Sequence, residues 1–184
     1  VNDSHAFLDL DIDTPTVTGR DILVAVKAVA VNPVDTKVRG PKDKVETPAR
    51  IIGYDASGIV EAVGPDTTIF KPGDKVYYAG DITRSGTNAE FHLVDERIVG
   101  HRPRSLSHAQ SAALPLTTIT AYEAFFDRLG IDPNGADAGQ SILIIRAGGG
   151  VGSIGIQLAK QAGLTVIATA SRPETVDWVR SLGA

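Results

Sequence analysis

Residues 141–155 read SILIIRAGGGVGSIG, and the second half of the chain is organised around them. Ser141 to Ile145 is a continuous apolar run of the kind that a buried parallel strand needs. It leads into the glycines at 148–150 and 152, and a helix is expected from Val151 to Ala162, stopping at Gly163. Leu164 to Thr169 reads as a second buried strand. Ser171-Arg172-Pro173-Glu174 then has capping-box spacing and opens a third helix through Leu182. Strand, glycine turn, helix, strand, helix is the first half of a doubly wound, nucleotide-binding α/β fold.

Glycines at such a turn let the backbone approach a pyrophosphate, and the helix that follows supplies free N–H groups and a positive dipole end. Two registers fit. Gly150-Val151-Gly152-Ser153-Ile154-Gly155 matches G-x-G-x-x-G literally but lies mostly within the helix. A turn over Ala147, Gly148, Gly149, Gly150, Val151 and Gly152 fits the strand end better. The plainer alternative is a tight turn with close helix–strand packing and no ligand. An acid that would bond the ribose 2′-hydroxyl of NAD is expected at the end of the second strand. That end reads Thr169-Ala170-Ser171-Arg172, and Glu174 is taken as the capping partner. Ser171 and Arg172 suit a 2′-phosphate instead, so the expected cofactor is NADP(H). Arg172 also reads as a solvated first-turn residue.

Upstream the pattern is different. Short strands are expected at Ile22–Val29, Ser57–Val63, Lys75–Tyr78, Ala89–Val94 and Ile98–His101, separated by turn clusters at 64–66, 71–74 and 85–88. This spacing suggests a β-barrel or sandwich. Asn32 to Arg39 is read as a short helix. Ser107 is placed as the cap of a helix through Ala113, and Pro115 as the start of another running to Leu129 and ending at Gly130.

Composition narrows the function classes. With 42% hydrophobic and 22% charged residues the chain is of ordinary globular type, and a net charge of −4 without a basic block gives no nucleic-acid footprint. There is no cysteine, which removes disulfides and every thiolate-ligated metal site. Ile22 to Val31 is far too short to span a bilayer. Residues 1–13 do not read as a signal peptide, so the sequon Asn2-Asp3-Ser4 is expected to stay unused and the location to be cytoplasmic. His5, His92, His101 and His108 lack metal-ligand spacing and are read as ordinary surface or strand residues.

The segments Gly139-Gln140 to Leu143 and Ala147 to Gly152, with Gln157 and Lys160, resemble the quinone oxidoreductase/zeta-crystallin signature of the medium-chain dehydrogenase/reductases. VNPVDTKVRG at 31–40, GYDASGIV at 53–60, KPGDKVYY at 71–78 and LPLTTITAYEAFF at 114–126 extend the resemblance over nearly the whole chain. The subgroup it resembles most is called zinc-type alcohol dehydrogenase-like. The resemblance implies a GroES-like β-barrel domain (1–112) followed by an incomplete Rossmann domain (113–184), with an active site in the cleft between them and a homodimer at full length. It also implies that Thr120 approaches the nicotinamide.

Where zinc-dependent members of that superfamily carry two Cys and one His on the catalytic metal, this sequence has Asn32, Tyr54 and Leu116, with Asp55 in place of a Glu. No metal site is therefore expected. Alcohol oxidation needs a metal to acidify the alcohol, whereas hydride transfer to a quinone or an α,β-unsaturated carbonyl needs positioning and help for the developing oxyanion. Tyr54 is the candidate hydroxyl donor, and Asn32 is a candidate contact to substrate or nicotinamide ribose. Each has a plainer reading: Tyr54 as an amphipathic barrel residue, Asn32 as a turn cap, Thr120 as a helix hydroxyl bonded to its own backbone, Asp35 as a turn or salt-bridge residue. The expected activity is a zinc-independent, NADPH-dependent reductase of quinones or enones. The alternatives are a nucleotide-binding structural or regulatory protein of zeta-crystallin type and a zinc-dependent alcohol dehydrogenase. With no methionine at position 1 and the α/β pattern stopping after two strands, the chain is expected to be a piece of a longer enzyme, lacking a strand before Asp9.

Overall fold

Asp21–Ala30 carries alternating β-branched and small residues and forms the first and longest strand, β1. A computed structural model of the chain describes residues 7–40 and 46–184; the sequon at Asn2 and His5 lie outside them. The chain divides into two compact units, Val1–Leu116 and Thr117–Ala184.

In the first unit β1 is followed by helix α1 (Pro33–Arg39) and strands β2 (Asp55–Val63), β3 (Lys75–Ala79), β4 (Phe91–Asp95) and β5 (Val99–His101), then by helix α2 (His108–Ala112). The strands pair antiparallel in the order β4-β1-β2-β3-β5. Register shifts at Leu23/Val24 and Val26/Ala28 interrupt the β1–β2 ladder. These are the extra-residue irregularities that increase twist and bend a strand. Ile22, Val24, Ala56, Val60, Phe70, Val76, Tyr78 and Val94 form the core of this unit. Every strand expected from the sequence is present to within two residues.

Two polar centres brace this sheet. Glu96, fully buried, accepts from the N–H groups of Thr68 (3.0 Å) and Ile69 (2.7 Å) and from Arg20 Nη1 (2.6 Å). Burial pushes its carboxyl up, but the Ile69 and Thr68 N–H groups and the Arg20 charge outweigh it and hold the group below the ordinary carboxylate range. His92 is a strand residue, as expected, yet it lies inside the unit. Its Nε2 faces the Ser85 carbonyl (2.9 Å) and its Nδ1 faces the Tyr78 hydroxyl (3.0 Å). A carbonyl only accepts, so Nε2 carries the proton and the Tyr78 hydroxyl donates to Nδ1. Burial keeps the imidazole harder to protonate than usual and pushes the Tyr78 phenol up.

Helix α3 (Pro115–Tyr122) starts in the first unit, and the second unit continues from Thr117 through strand β6 (Ser141–Ile144), helix α4 (Gly150–Gln161), strand β7 (Thr165–Ala168) and helix α5 (Pro173–Ser181). β6 and β7 pair in parallel, joined by α4 as a crossover. Three expectations are corrected here. The helix from Pro115 does not run as one α-helix to Leu129: it changes to π geometry over Glu123–Arg128. The spacing at 171–174 does not produce a capping box. Arg172 is the N-cap, with no side-chain bond, because Pro173 takes the first helical position. Finally, the apolar run of β6 is buried on one face only. Ile142 and Ile144 pack toward α4 and α5, while Leu143, Ile145 and Ile167 point the other way and are exposed. Period-two alternation sends them to the face that no described element covers.

Gly152, in the first turn of α4, packs against Ala147 in the turn that follows β6. A Cβ there would stand 2.6 Å from both the Cα and the carbonyl oxygen of Ala147. Backbone atoms on both sides leave no flexible group to yield. Gly152→Ala is expected to cost about 1–3 kcal/mol, read as a lowered midpoint in thermal unfolding. An unchanged midpoint would show that α4 stands farther from Ala147.

Candidate functional site

Two regions gather the residues singled out above, one in each unit. The first lies where β1 ends and β2 begins. Beyond Ala30 the chain turns at Asn32, which caps α1 with extended backbone angles before Pro33 sets the first helical position. Asp35, at the third helical position, accepts the Asn32 backbone N–H through Oδ2 at 2.7 Å. Its other oxygen, Oδ1, is buried without a partner. The Asn32 side chain completes a capping box with Asp35, and its Nδ2 donates to Asp55 Oδ2 at 2.7 Å. The remaining Asp55 oxygen accepts the Leu116 backbone N–H at 2.9 Å. Of the four positions discussed above, Asn32 and Leu116 are thus both bonded to Asp55.

Tyr54 precedes Asp55. It is 2% exposed and its hydroxyl has no partner. An unbonded buried hydroxyl costs the desolvation of that group, about 1–3 kcal/mol. The tight approach of the chain to Tyr54 depends on Gly53, whose φ is +102°. A Cβ there would fall 2.5 Å from Asn88 Oδ1 and 2.6 Å from Thr87 Oγ1. Past Tyr54 the backbone is pinned by Gly80 N–H donating to the Tyr54 carbonyl at 2.6 Å.

Burial pushes the Asp55 carboxyl up to about 6; the Asn32 and Leu116 hydrogen bonds pull it down, and the Asp35 charge adds to the rise. Sequence reading gave Asp55 only the role of a replaced glutamate, and Asp35 that of a turn residue. The Asn-x-x-Asp spacing at 32–35, a capping pattern, is the signal that marks Asp35 as structured. Nearby, Ser57 Oγ bonds the Val76 carbonyl and His108 Nδ1, both at 2.8 Å. The Ser57 proton goes to the carbonyl, so His108 Nδ1 carries a hydrogen and the pair is no nucleophile–base couple.

The second region is the glycine turn. β6 ends at Ile144, the chain turns through 145–149, and α4 starts at Gly150 with Gly149 as its cap. Gly152 and Gly155 are therefore helical, and the register that starts at Ala147 describes the turn. Thr169, at the end of β7, latches it: the Arg146 N–H donates to Thr169 Oγ1 (2.9 Å) and the Ala147 N–H to the Thr169 carbonyl (3.1 Å). Gly149 has no side-chain cap bond, and an added Cβ would meet nothing nearer than the Arg146 carbonyl at 3.6 Å. The first-turn N–H groups of α4, at Gly150, Val151 and Gly152, have no intrahelical acceptor. Backbone cradle and twelve-residue helix together fit an anionic phosphate group. Ser171 and Arg172 are exposed just beyond β7, with Arg172 Nε 3.6 Å from Glu174 Oε1. Thr120 lies exposed on α3.

The raised Asp55 carboxyl has a sign that can be checked. A carboxyl that holds its proton more tightly when folded favours the fold fully below its unfolded value, near 3.8, and loses that contribution as pH rises through about 6. Carboxyl NMR is expected to place its midpoint near 6. Asn32→Ala removes a downward influence and moves the midpoint higher. A lower midpoint in that variant would contradict the geometry.

Residues 18–114 match the alcohol dehydrogenase GroES-like domain. A zinc-type alcohol dehydrogenase-like protein of Staphylococcus aureus is 53% identical over 171 residues, 92% of this chain and 50% of that protein. The NADPH-dependent alkenal/one oxidoreductase of Arabidopsis thaliana is 36% identical over 188 residues, 96% of this chain and 47% of that one. A solved structure from Rhizobium etli, provisionally described as a zinc-dependent alcohol dehydrogenase protein, superposes with a TM-score of 0.92 at 60% identity, covering all of this chain and 53% of that one. The chain spans about half the length of the curated relatives it matches. An antiparallel unit carrying the domain match, followed by the opening strand–turn–helix–strand of a Rossmann domain, identifies the chain as a member of the GroES-like alcohol dehydrogenase family, in the medium-chain dehydrogenase/reductase superfamily.

Proposed function

We propose that this chain forms the N-terminal domain and the start of the nucleotide-binding domain of a zinc-independent, NADPH-dependent oxidoreductase acting on quinones or α,β-unsaturated carbonyl compounds. The observation that carries the reading is the set of groups around Asp55, which are hydrogen-bond donors rather than metal ligands. Both of its oxygens already accept N–H groups, from Asn32 and Leu116. Zinc takes thiolate, imidazole or carboxylate ligands. Here the positions around Asp55 present an amide N–H, a backbone N–H and a phenol, which add neither a thiolate nor an imidazole to the single carboxylate. The donor set does not suit the metal, and no step is routed through it.

NADPH, when bound, supplies the hydride. On this chain the backbone at Ala147, Gly148, Gly149, Gly150, Val151 and Gly152 would hold its pyrophosphate, and Ser171 and Arg172 its 2′-phosphate. The resemblance adds Thr120 near the nicotinamide, and the donors and acceptor of Asn32 suit a contact to substrate or nicotinamide ribose. Tyr54 donates its hydroxyl to the oxygen on which negative charge develops. That hydroxyl is buried without a partner, so a path to it must open before it can donate. An activated alkene or quinone needs little more, which fits a site without a Lewis acid. The Arabidopsis relative, named for NADPH and for alkenal/one substrates, supports the same class.

The full-length protein is expected to oxidise NADPH in the presence of a quinone or an enone. Tyr54→Phe combined with Asn32→Ala is expected to lower kcat by about a hundredfold with a much smaller change in NADPH affinity. Dinucleotide binding without turnover on any such acceptor would favour a structural or regulatory role, and stoichiometric bound zinc would overturn the metal-free reading. Arg172→Ala is expected to reduce the preference for NADPH over NADH by about tenfold or more, measured by titrating both nucleotides. An unaltered preference would assign the 2′-phosphate to other residues.

A further inference from the structure

We infer that Asp55 is a positioning residue: it selects and holds one orientation of the Asn32 carboxamide. The inference rests on the reading above, in which Asn32 contacts a ligand. Asn32 is gripped at two points, its backbone N–H by Asp35 Oδ2 and its Nδ2 by Asp55 Oδ2, each at 2.7 Å. Asp55 is itself fixed, by the Leu116 N–H on its other oxygen and by strand pairing with Ala30 and Ala79. A carboxamide can sit in either of two flipped orientations of nearly the same shape, and what faces it decides between them. An ionised carboxylate accepts only, so Nδ2 must face Asp55. The other end of the amide faces the Asp35 N–H, in a reciprocal capping box with the Asp35 side chain, so the whole carboxamide is held in one orientation.

Stability alone does not account for the arrangement. Asp35 and Asp55 are two buried carboxylates joined through a single asparagine, their charges repel, and Asp35 Oδ1 is left without a partner. Buried ionic groups of this kind are often no better for stability than apolar residues of similar volume. What the pair provides is a fixed amide.

The test is a double-mutant cycle in the full-length protein. NADPH oxidation by 1,4-benzoquinone is followed in the wild type, Asp55→Asn, Asn32→Ala and the double variant, with thermal unfolding of each. Asp55→Asn is expected to lower kcat about tenfold when Asn32 is present and by less than about twofold when it is Ala, while the unfolding midpoint falls in both backgrounds. Equal kcat losses in both backgrounds, or full activity in a folded Asp55→Asn, would overturn the assignment. A second readout needs neither turnover nor variants at position 55. On lowering the pH, the Asn32 side-chain N–H signals of the ¹⁵N-labelled wild type are expected to move together with the Asp55 carboxyl, whose facing groups are Asp35, the Asn32 amide and the Leu116 N–H. Signals that stay in place refute the inference. A wild type that oxidises no NADPH with any quinone or enone, but whose Asn32 signals follow Asp55, refutes the functional reading and leaves the positioning role standing.

Discussion

The buried carboxylate of Asp55 ties three separate stretches of the first unit together. Through Asn32 it holds the end of β1 and the cap of α1; through its own backbone it opens β2; through the Leu116 N–H it fixes the segment that enters α3. Each bond is charge-assisted and screened from water, so losing one partner leaves a group buried and unsatisfied. The position of Tyr54, one residue before Asp55, follows from the same anchoring. A carboxylate held this firmly by N–H donors does the structural work that a metal ion could do elsewhere, with the opposite charge at its centre.

The strands of the first unit were legible because their apolar periodicity and turn clusters are local signals. β1 and β3 match to within a residue at each end, and Asp74, accepting the Lys71 N–H, closes the Pro72-Gly73 turn as the residues suggest. The site was legible in membership but not in connection. Asn32, Tyr54 and Leu116 stood out only as substitutions in a familiar pattern, and nothing in a linear reading says that two of them meet on Asp55. That contact joins residues 61 apart in sequence. Tertiary bonds of this span leave no periodic trace.

The departures in the second unit have equally specific causes. At 171–174 the capping pattern was sound for a serine followed by two neutral residues, but Pro173 fixes its own φ and claims the first helical position, moving the cap to Arg172. Over Glu123–Arg128 the helix takes π geometry, with Tyr122 and Phe126 packed edge to face at 4.6 Å and Phe125 partly buried against the second core. The apolar character of β6 was read correctly, and only its partner on one face was not visible.

The Tyr78–His92 pair makes the first unit report on itself. A phenol that donates to a neutral imidazole inside the core resists ionisation while the unit is closed. Its contribution to stability is complete below the ordinary tyrosine range and drains away as alkali raises the pH through that range and beyond. Opening the sheet therefore lets this phenol ionise, and the added tyrosinate absorbance gives alkaline unfolding of this unit an optical signal with no label attached.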